Sequence, residues 1–277
     1  MTDVRTEASP TLERNEAAPK GGSFIWYELT TTDAEAAKDF YDTIVGWQIG
    51  PGVEEMQGYR MIGRSDGGFA GGVLPITPDM QAGGSRPGWL GYIHVPDVDR
   101  AVAAIEQAGG KTWMAAMDIP NVGRIALVTD PQAAPFYVMT PTPPADDSNA
   151  QSDVFSPDAQ QRVGWNELQT SDVDAARRFY REQFGWDTDE FMDMGEMGKY
   201  YFIHHGGQRI GALFNAANGQ RPQFRFYIRV PSIAKAKEVA ESKGGTIHMG
   251  PHKVPTGDWI VIGKDAQGAE FALVGGE

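Results

Sequence analysis

A single stretch of this chain occurs twice. Residues Trp26 to Trp47 recur as Trp165 to Trp186 at a constant offset of 139, without a gap, and half of the positions are identical: Trp26, Glu28, Leu29, Thr31, Asp33, Ala36, Ala37, Phe40, Tyr41, Gly46 and Trp47. A period of that length means two copies of a whole domain and excludes a short-repeat solenoid. The folding problem therefore concerns a unit of about 115 residues, an ordinary size for a domain with its own core. Every difference between the copies marks a position that the fold leaves free.

Bulk properties narrow the function. The formal net charge is −13 with Lys and Arg scattered, which repels a phosphate backbone and argues against nucleic-acid binding. With no cysteine, a disulfide framework and a thiolate zinc site are both excluded. No apolar run approaches the roughly 20 residues that span a bilayer, and the polar N-terminus lacks the apolar centre of a signal peptide. A cytoplasmic location and no membrane partner are expected. Residues 1–22 read as a disordered tail and 142–161, rich in Pro and Asp, as an exposed linker. That leaves domains at 23–141 and 162–277.

Within each domain, a short strand leads to a helix. Asp33 and Asp172 suit the N-cap, where a carboxylate accepts bonds from free first-turn N–H groups. Ala36, Ala37, Phe40, Tyr41 and Ile44, like Ala175, Ala176, Phe179, Tyr180 and Phe184, follow helical spacing. Gly46 and Gly185 suit the left-handed C-terminal position. Strands follow at 59–64, 69–74, 200–204 and 208–214. The pattern restarts at Tyr92–Asp97 and Tyr227–Ser232, with helices ending at Gly109-Gly110 and Gly244-Gly245 and closing strands at 124–129, 136–140, 258–262 and 271–274. Each domain thus holds two strand–helix–three-strand modules.

This pattern resembles the vicinal oxygen chelate superfamily of glyoxalases, bleomycin-resistance proteins and extradiol dioxygenases, in a tandem glyoxalase-like arrangement. The likeness rests on Asp33 with Ala36-Ala37, Phe40-Tyr41 and Gly46-Trp47, on their copy through Trp186, on the Asp97-Val98-Asp99 helix with Gly109-Gly110, and on Asp265 through Phe271. It implies an α+β fold in which each domain pairs two βαβββ modules into an eight-stranded cup, helices outside and the site inside. Whether modules pair within one chain or between two, as in a homodimer, stays open.

The family's metal ligands, as the resemblance implies them, are His, Gln or Glu on the first strand of each module and Glu on a closing strand, residue types that hold divalent ions at about 2.0–2.2 Å. The matching positions hold Trp26, Leu90, Trp165 and Arg225, with Tyr137 and Ala272 on the closing strands. No metal site and no cofactor are expected in this register. A shift of two residues would bring in Glu28, Glu167 or Glu270, and with them a divalent metal.

Strand parity assigns the cup walls. Phe224, Phe226, Ile228 and Val230 face the helices, so Arg225, Tyr227 and Arg229 face the second cup with Trp165, Glu167 and Gln169. An arginine pair suits a carboxylate ligand; alternatively Glu167 pairs with one of them and the cluster is structural. The first cup receives Trp26, Glu28, Thr30, Leu90, Tyr92, His94 and Tyr137. Glu28 and His94 would form a proton-transfer pair if they come within hydrogen-bond reach; otherwise His94 ends its strand in solvent. Glu28, His94 and Glu167 are the candidate catalytic residues. Trp26, Tyr92, Tyr137, Trp165, Arg225, Tyr227 and Arg229 are the candidate ligand-binding residues. His204-His205 read as a turn and His248 and His252 as loop residues. Trp47 and Trp186 read as core. Asn166, on the helix side by parity, has no evident role there.

Three functions stay open: a glyoxalase-like lyase, isomerase or dioxygenase acting on a small polar or carboxylate-bearing molecule without the family metal; a non-catalytic binding protein of the antibiotic-binding type; and a divalent-metal-dependent lyase or dioxygenase.

Overall fold

The computed structural model describes residues 21–143, 147, 150–217 and 219–277. The first domain runs β1 (Phe24–Thr31), α1 (Ala34–Val45), β2 (Gln48–Ile49), β3 (Arg60–Gly63), β4 (Phe69–Pro75), α2 (Pro78–Ala82), β5 (Gly88–His94), α3 (Val98–Gln107), β6 (Lys111–Ile119), β7 (Gly123–Thr129) and β8 (Pro135–Pro141). The second runs β9 (Val163–Thr170), α4 (Val173–Phe184), β10 (Phe191–Asp193), β11 (Lys199–His205), β12 (Gln208–Asn215), β13 (Gln223–Ser232), α5 (Ile233–Ser242), β14 (Thr246–Lys253), β15 (Trp259–Lys264) and β16 (Glu270–Gly276). Each makes one eight-stranded sheet, ordered β2-β3-β4-β1-β5-β8-β7-β6 and β10-β11-β12-β9-β13-β16-β15-β14. The two modules of a domain join where their first strands pair antiparallel, β1 with β5 and β9 with β13. Modules therefore pair within the chain.

The caps behave as their chemistry requires. Asp33 accepts from Ala36 N at 2.9 Å and Asp172 from Ala175 N at 3.0 Å, while Gly46 and Gly185 end the helices at φ 81° and 70°. The outer, helix-bearing faces of the two sheets meet, and the core is shared between domains. Helix α1 packs on α5 and β13, and α3 on α4. Phe24 and Phe136 of the first domain interlock with Tyr180, Phe184, Trp186, Phe224 and Phe226 of the second.

Asn166 has its role here. Its Oδ1 accepts the Tyr27 hydroxyl at 2.8 Å and its Nδ2 donates to Ile210 O at 2.8 Å. Tyr27 and Asn166 are the same position of the repeat, so the two copies meet through a residue at which they differ. Two further bonds cross reciprocally: Tyr41 donates to Asp265 at 3.1 Å and Tyr180, its repeat mate, to Asp130 at 3.2 Å. Tyr27→Phe leaves the buried Asn166 Oδ1 without a donor and is expected to cost about 1–3 kcal/mol, read from urea unfolding; a change within about 0.5 kcal/mol, the scatter of neutral substitutions, would remove this bond from the interface.

The expected linker is largely exposed but makes fixed contacts. Residues 144–146, 148 and 149 lie outside the described residues, but from residue 150 the segment is fixed on the first domain. Ser152 Oγ donates to Ile25 O at 2.7 Å, Val154 is buried, and Asp153 binds Arg64 at 2.6 Å and Arg162 at 2.8 Å. Asp153, itself exposed, is thus an ionic partner of the buried Arg64. At the other end, residues 1–20 lie outside the described part, while Gly22 is held by its N–H on His94 O and by the Trp186 indole. His248 and His252 sit on strand β14, not in a loop. Among the described residues no helix is long and apolar enough to cross a membrane.

Candidate functional site

Trp26, Leu90, Tyr92 and Tyr137 gather in one cluster and Trp165 and Tyr227 in another, each around its glutamate. In the first cup, the Trp26 indole N–H donates to the Tyr59 hydroxyl at 2.8 Å, and the Tyr92 hydroxyl donates to Glu28 Oε2 at 2.8 Å. Tyr137 stacks on Tyr92 with ring centroids 4.2 Å apart. Space for Tyr59 comes from β4: Gly72 pairs with Glu28, and a Cβ there would collide with the Tyr59 hydroxyl.

Glu28 is only 3 % exposed, and burial pushes its pKa up to about 7, with the hydroxyls of Tyr92, Tyr59 and Tyr137 pulling back. Among the described residues its Oε1 is buried with no partner in hydrogen-bond geometry, although the Tyr59 and Tyr137 hydroxyls stand close enough to the carboxyl to pull its pKa down. The three tyrosines are themselves raised by burial and stay protonated at neutral pH. Unlike the three tyrosines, Glu28 thus changes charge near neutrality, a property common at functional sites.

The second cup repeats the frame with a different electrostatic outcome. The Trp165 indole donates to Tyr200 at 2.8 Å and Tyr200 to Glu167 Oε2 at 2.8 Å. Glu167 Oε1 accepts from Tyr227 at 3.1 Å and from Arg225 Nη1 at 2.8 Å. Arg225 Nε reaches Glu270 at 2.9 Å. Arg229 stands apart, with Nη1 and Nη2 on the Asp258 carboxylate at 3.1 and 3.2 Å. Both arginines therefore spend their charge on the protein's own carboxylates, which favours the structural alternative for this cluster over a carboxylate-binding pair.

Register explains the contrast. Glu28 pairs with Leu90, whereas Glu167 pairs with Arg225. Tyr137 on β8 is matched by Ala272 on β16, each beside its tyrosine, Tyr92 or Tyr227. The pair Leu90 and Tyr137 in one cup stands against Arg225 and Ala272 in the other.

Glu28 and His94 do not meet. Glu28 pairs with Leu90 and Trp26 with Tyr92, so His94 lies four residues along β5 from the Glu28 level, about 13 Å at strand rise. His94 is half-buried, and desolvation alone lowers its pKa. The proton-transfer pair expected from shared parity fails because parity fixes a face and not a position along it. The tyrosines that complete both cups, Tyr59 and Tyr200, escaped the sequence reading. Their offset is 141, because the second copy carries two extra residues before its second hairpin, and the match is invisible at the offset of 139.

A divalent ion does not fit the residues present. Indole and leucine side chains occupy the expected first-strand places in the first cup, and Glu28 and Glu167 are engaged by tyrosine and arginine donors. Among the described residues no three His, Asp or Glu side chains converge; the pairs His204 with Glu190, at 2.8 Å, and His248 with Glu270, at 3.8 Å, each lack a third member.

Comparison with known proteins agrees with the fold. The model of the Glyoxalase/Bleomycin resistance protein/Dioxygenase superfamily matches residues 23–134 and again 162–273. The chain is 27% identical over 255 residues to CFP32 of Mycobacterium tuberculosis, which carries a provisional glyoxylase name, covering 91% of this chain and 94% of that one. It is 26% identical over 263 residues to the anthracycline biosynthesis protein DauV of Streptomyces sp. strain C5, covering 91% and 93%. Among solved structures, a variant of homoprotocatechuate 2,3-dioxygenase from Brevibacterium fuscum superposes with a TM-score of 0.62 at 17% identity, over 95% of this chain and 74% of that one. The Mn(II)-bound glyoxalase from Novosphingobium aromaticivorans gives 0.60 at 15%, over 92% and 82%. At such identities the structural likeness speaks for the fold alone. The chain itself, matched over both of its domains, belongs to the glyoxalase, bleomycin resistance protein and dioxygenase superfamily.

Proposed function

We propose that the chain binds a small polar organic molecule in the cup of its first domain and exchanges a proton with it through Glu28, without the family's metal ion. One observation carries the reading: among the described residues, Glu28 is buried beside tyrosine hydroxyls with one oxygen unpartnered and no cation next to it. A carboxyl that titrates near neutral pH can serve as acid or base. The second cup lacks this freedom, because Arg225 fixes Glu167, so its role is structural. The similarity to proteins named for anthracycline biosynthesis supports a small organic ligand over a macromolecule.

Difference infrared spectroscopy against Glu28→Gln tests the proton. A protonated carboxyl band is expected at pH 6, absent from the variant, fading with a midpoint near 7. A midpoint below about 5, the ordinary carboxylate range, would overturn the proposal. Elemental analysis of untagged protein is expected to find far less than one transition metal ion per chain; a stoichiometric ion would overturn the metal-free part.

A further inference from the structure

The molecule contains two versions of the same cup, and one shows what the other lacks. Around Glu167 both oxygens are filled, Oε2 by Tyr200 and Oε1 by Tyr227 and the Arg225 guanidinium. Around Glu28, Oε2 is filled by Tyr92, while Oε1 is buried with no partner in hydrogen-bond geometry among the described residues, the Tyr59 and Tyr137 hydroxyls standing nearby and no cation opposite. The place from which Arg225 reaches its carboxylate belongs in the first cup to Leu90, which sits opposite Glu28 and offers no donor. Trp26, Tyr59 and Leu90 around the carboxyl are half-buried and keep contact with solvent.

We propose that the ligand of the first cup carries a protonated nitrogen, an ammonium or amidinium on a small frame, which donates to Glu28 Oε1 as the Arg225 guanidinium donates to Glu167. The inference rests on Glu28 being the polar group that the first cup presents. Electrostatics supports it from two sides. A carboxylate ligand would meet a carboxyl and tyrosines, with no cation among the described partners of Glu28 to neutralise it. A cation meets an acid able to ionise in response, and Trp26, Tyr59 and Tyr92, gathered around Glu28, supply electron-rich rings of the kind that attract cations. The bound cation would ionise Glu28 and release its proton below neutral pH, so affinity should fall about tenfold from pH 8 to pH 6, the expectation for one group titrating near 7.

Three probes with a common ring separate the classes: tyramine (ammonium), 4-ethylphenol (neutral) and 4-hydroxyphenylacetate (carboxylate). Calorimetric titration at pH 8 is expected to give tyramine a Kd at least tenfold below the other two, raised at least tenfold in Glu28→Gln. Leu90→Arg, which places a built-in guanidinium opposite Glu28, should block tyramine to the same degree; it serves as the second variant if Glu28→Gln fails to melt cooperatively. If 4-ethylphenol or 4-hydroxyphenylacetate binds as tightly as tyramine and Glu28→Gln still abolishes binding, the cationic class is wrong while Glu28 remains the ligand's partner. If tyramine binding is indifferent to both substitutions, or none of the probes binds, the inference falls; the infrared titration of Glu28, which needs no ligand, then decides separately whether the reading beneath it survives.

Discussion

Glu28→Gln is expected to gain stability over the wild type as pH rises, whereas the same substitution at the equivalent Glu167 destabilises the protein. The sign at Glu28 follows from linkage. Its folded pKa, about 7, lies above the ordinary value of 4.5. Below about pH 4.5 the carboxyl is protonated in both states and contributes nothing to the difference. Between about 4.5 and 7 the unfolded chain ionises while the folded one does not, so stability drops by about 1.4 kcal/mol per pH unit. Above 7 the loss levels off near about 3 kcal/mol. Gln carries no such penalty, so the variant-minus-wild-type unfolding free energy should rise by about 3 kcal/mol between pH 4 and pH 8. At Glu167 the carboxylate compensates a guanidinium 2.8 Å away. Removing that charge leaves Arg225 mostly buried with Glu270 as its remaining anion, at a cost of about 3 kcal/mol, the low end for breaking a buried pair. Urea titrations of the three proteins across that range measure both effects. A flat Glu28→Gln difference, or equal effects at the two sites, would show that the cups are electrostatically alike.

The fold and the cup walls were legible in the sequence because periodicity encodes them directly. Alternation along Phe224–Val230 separates an aromatic outer face from Arg225, Tyr227 and Arg229, and the structure keeps that division. Capping acids and helix-ending glycines are local devices and read locally. What stayed hidden depends on relations between segments. Parity put Glu28 and His94 on one face, but strand pairing sets them about 13 Å apart. Tyr59 and Tyr200 lie behind a two-residue change in the repeat offset. Asn166 made no sense within its own domain, because its partner is Tyr27 of the other copy. The charge state of each cup turns on one residue facing the glutamate, Leu90 or Arg225, and that pairing needs the register between β1 and β5 and between β9 and β13.

The two domains are expected to unfold as one unit, and Phe224→Ala is expected to break that unity. Phe224 is buried at the junction, with ring centroids 5.6 Å from Phe24 and 6.3 Å from Phe136 of the first domain, and 5.8, 6.0 and 6.3 Å from Tyr180, Phe226 and Trp186 of the second. A core shared in this way leaves neither sheet able to lose its helices without exposing the aromatic face of the other. Calorimetry of the wild type should therefore show a single transition with calorimetric and van't Hoff enthalpies in a ratio of about 1. Truncation to Ala removes ring contacts on both sides and leaves a cavity where the surroundings, themselves rigid rings, collapse poorly. The expected cost is about 3–5 kcal/mol. Because the lost contacts with Phe24 and Phe136 lie between the domains, the ratio should also rise above 1 as the domains melt apart. Two transitions in the wild type would mean that the aromatic layer couples the domains less than its packing implies. A cost below about 1.5 kcal/mol, the range of well-tolerated core swaps, would mean that the neighbouring rings close the cavity.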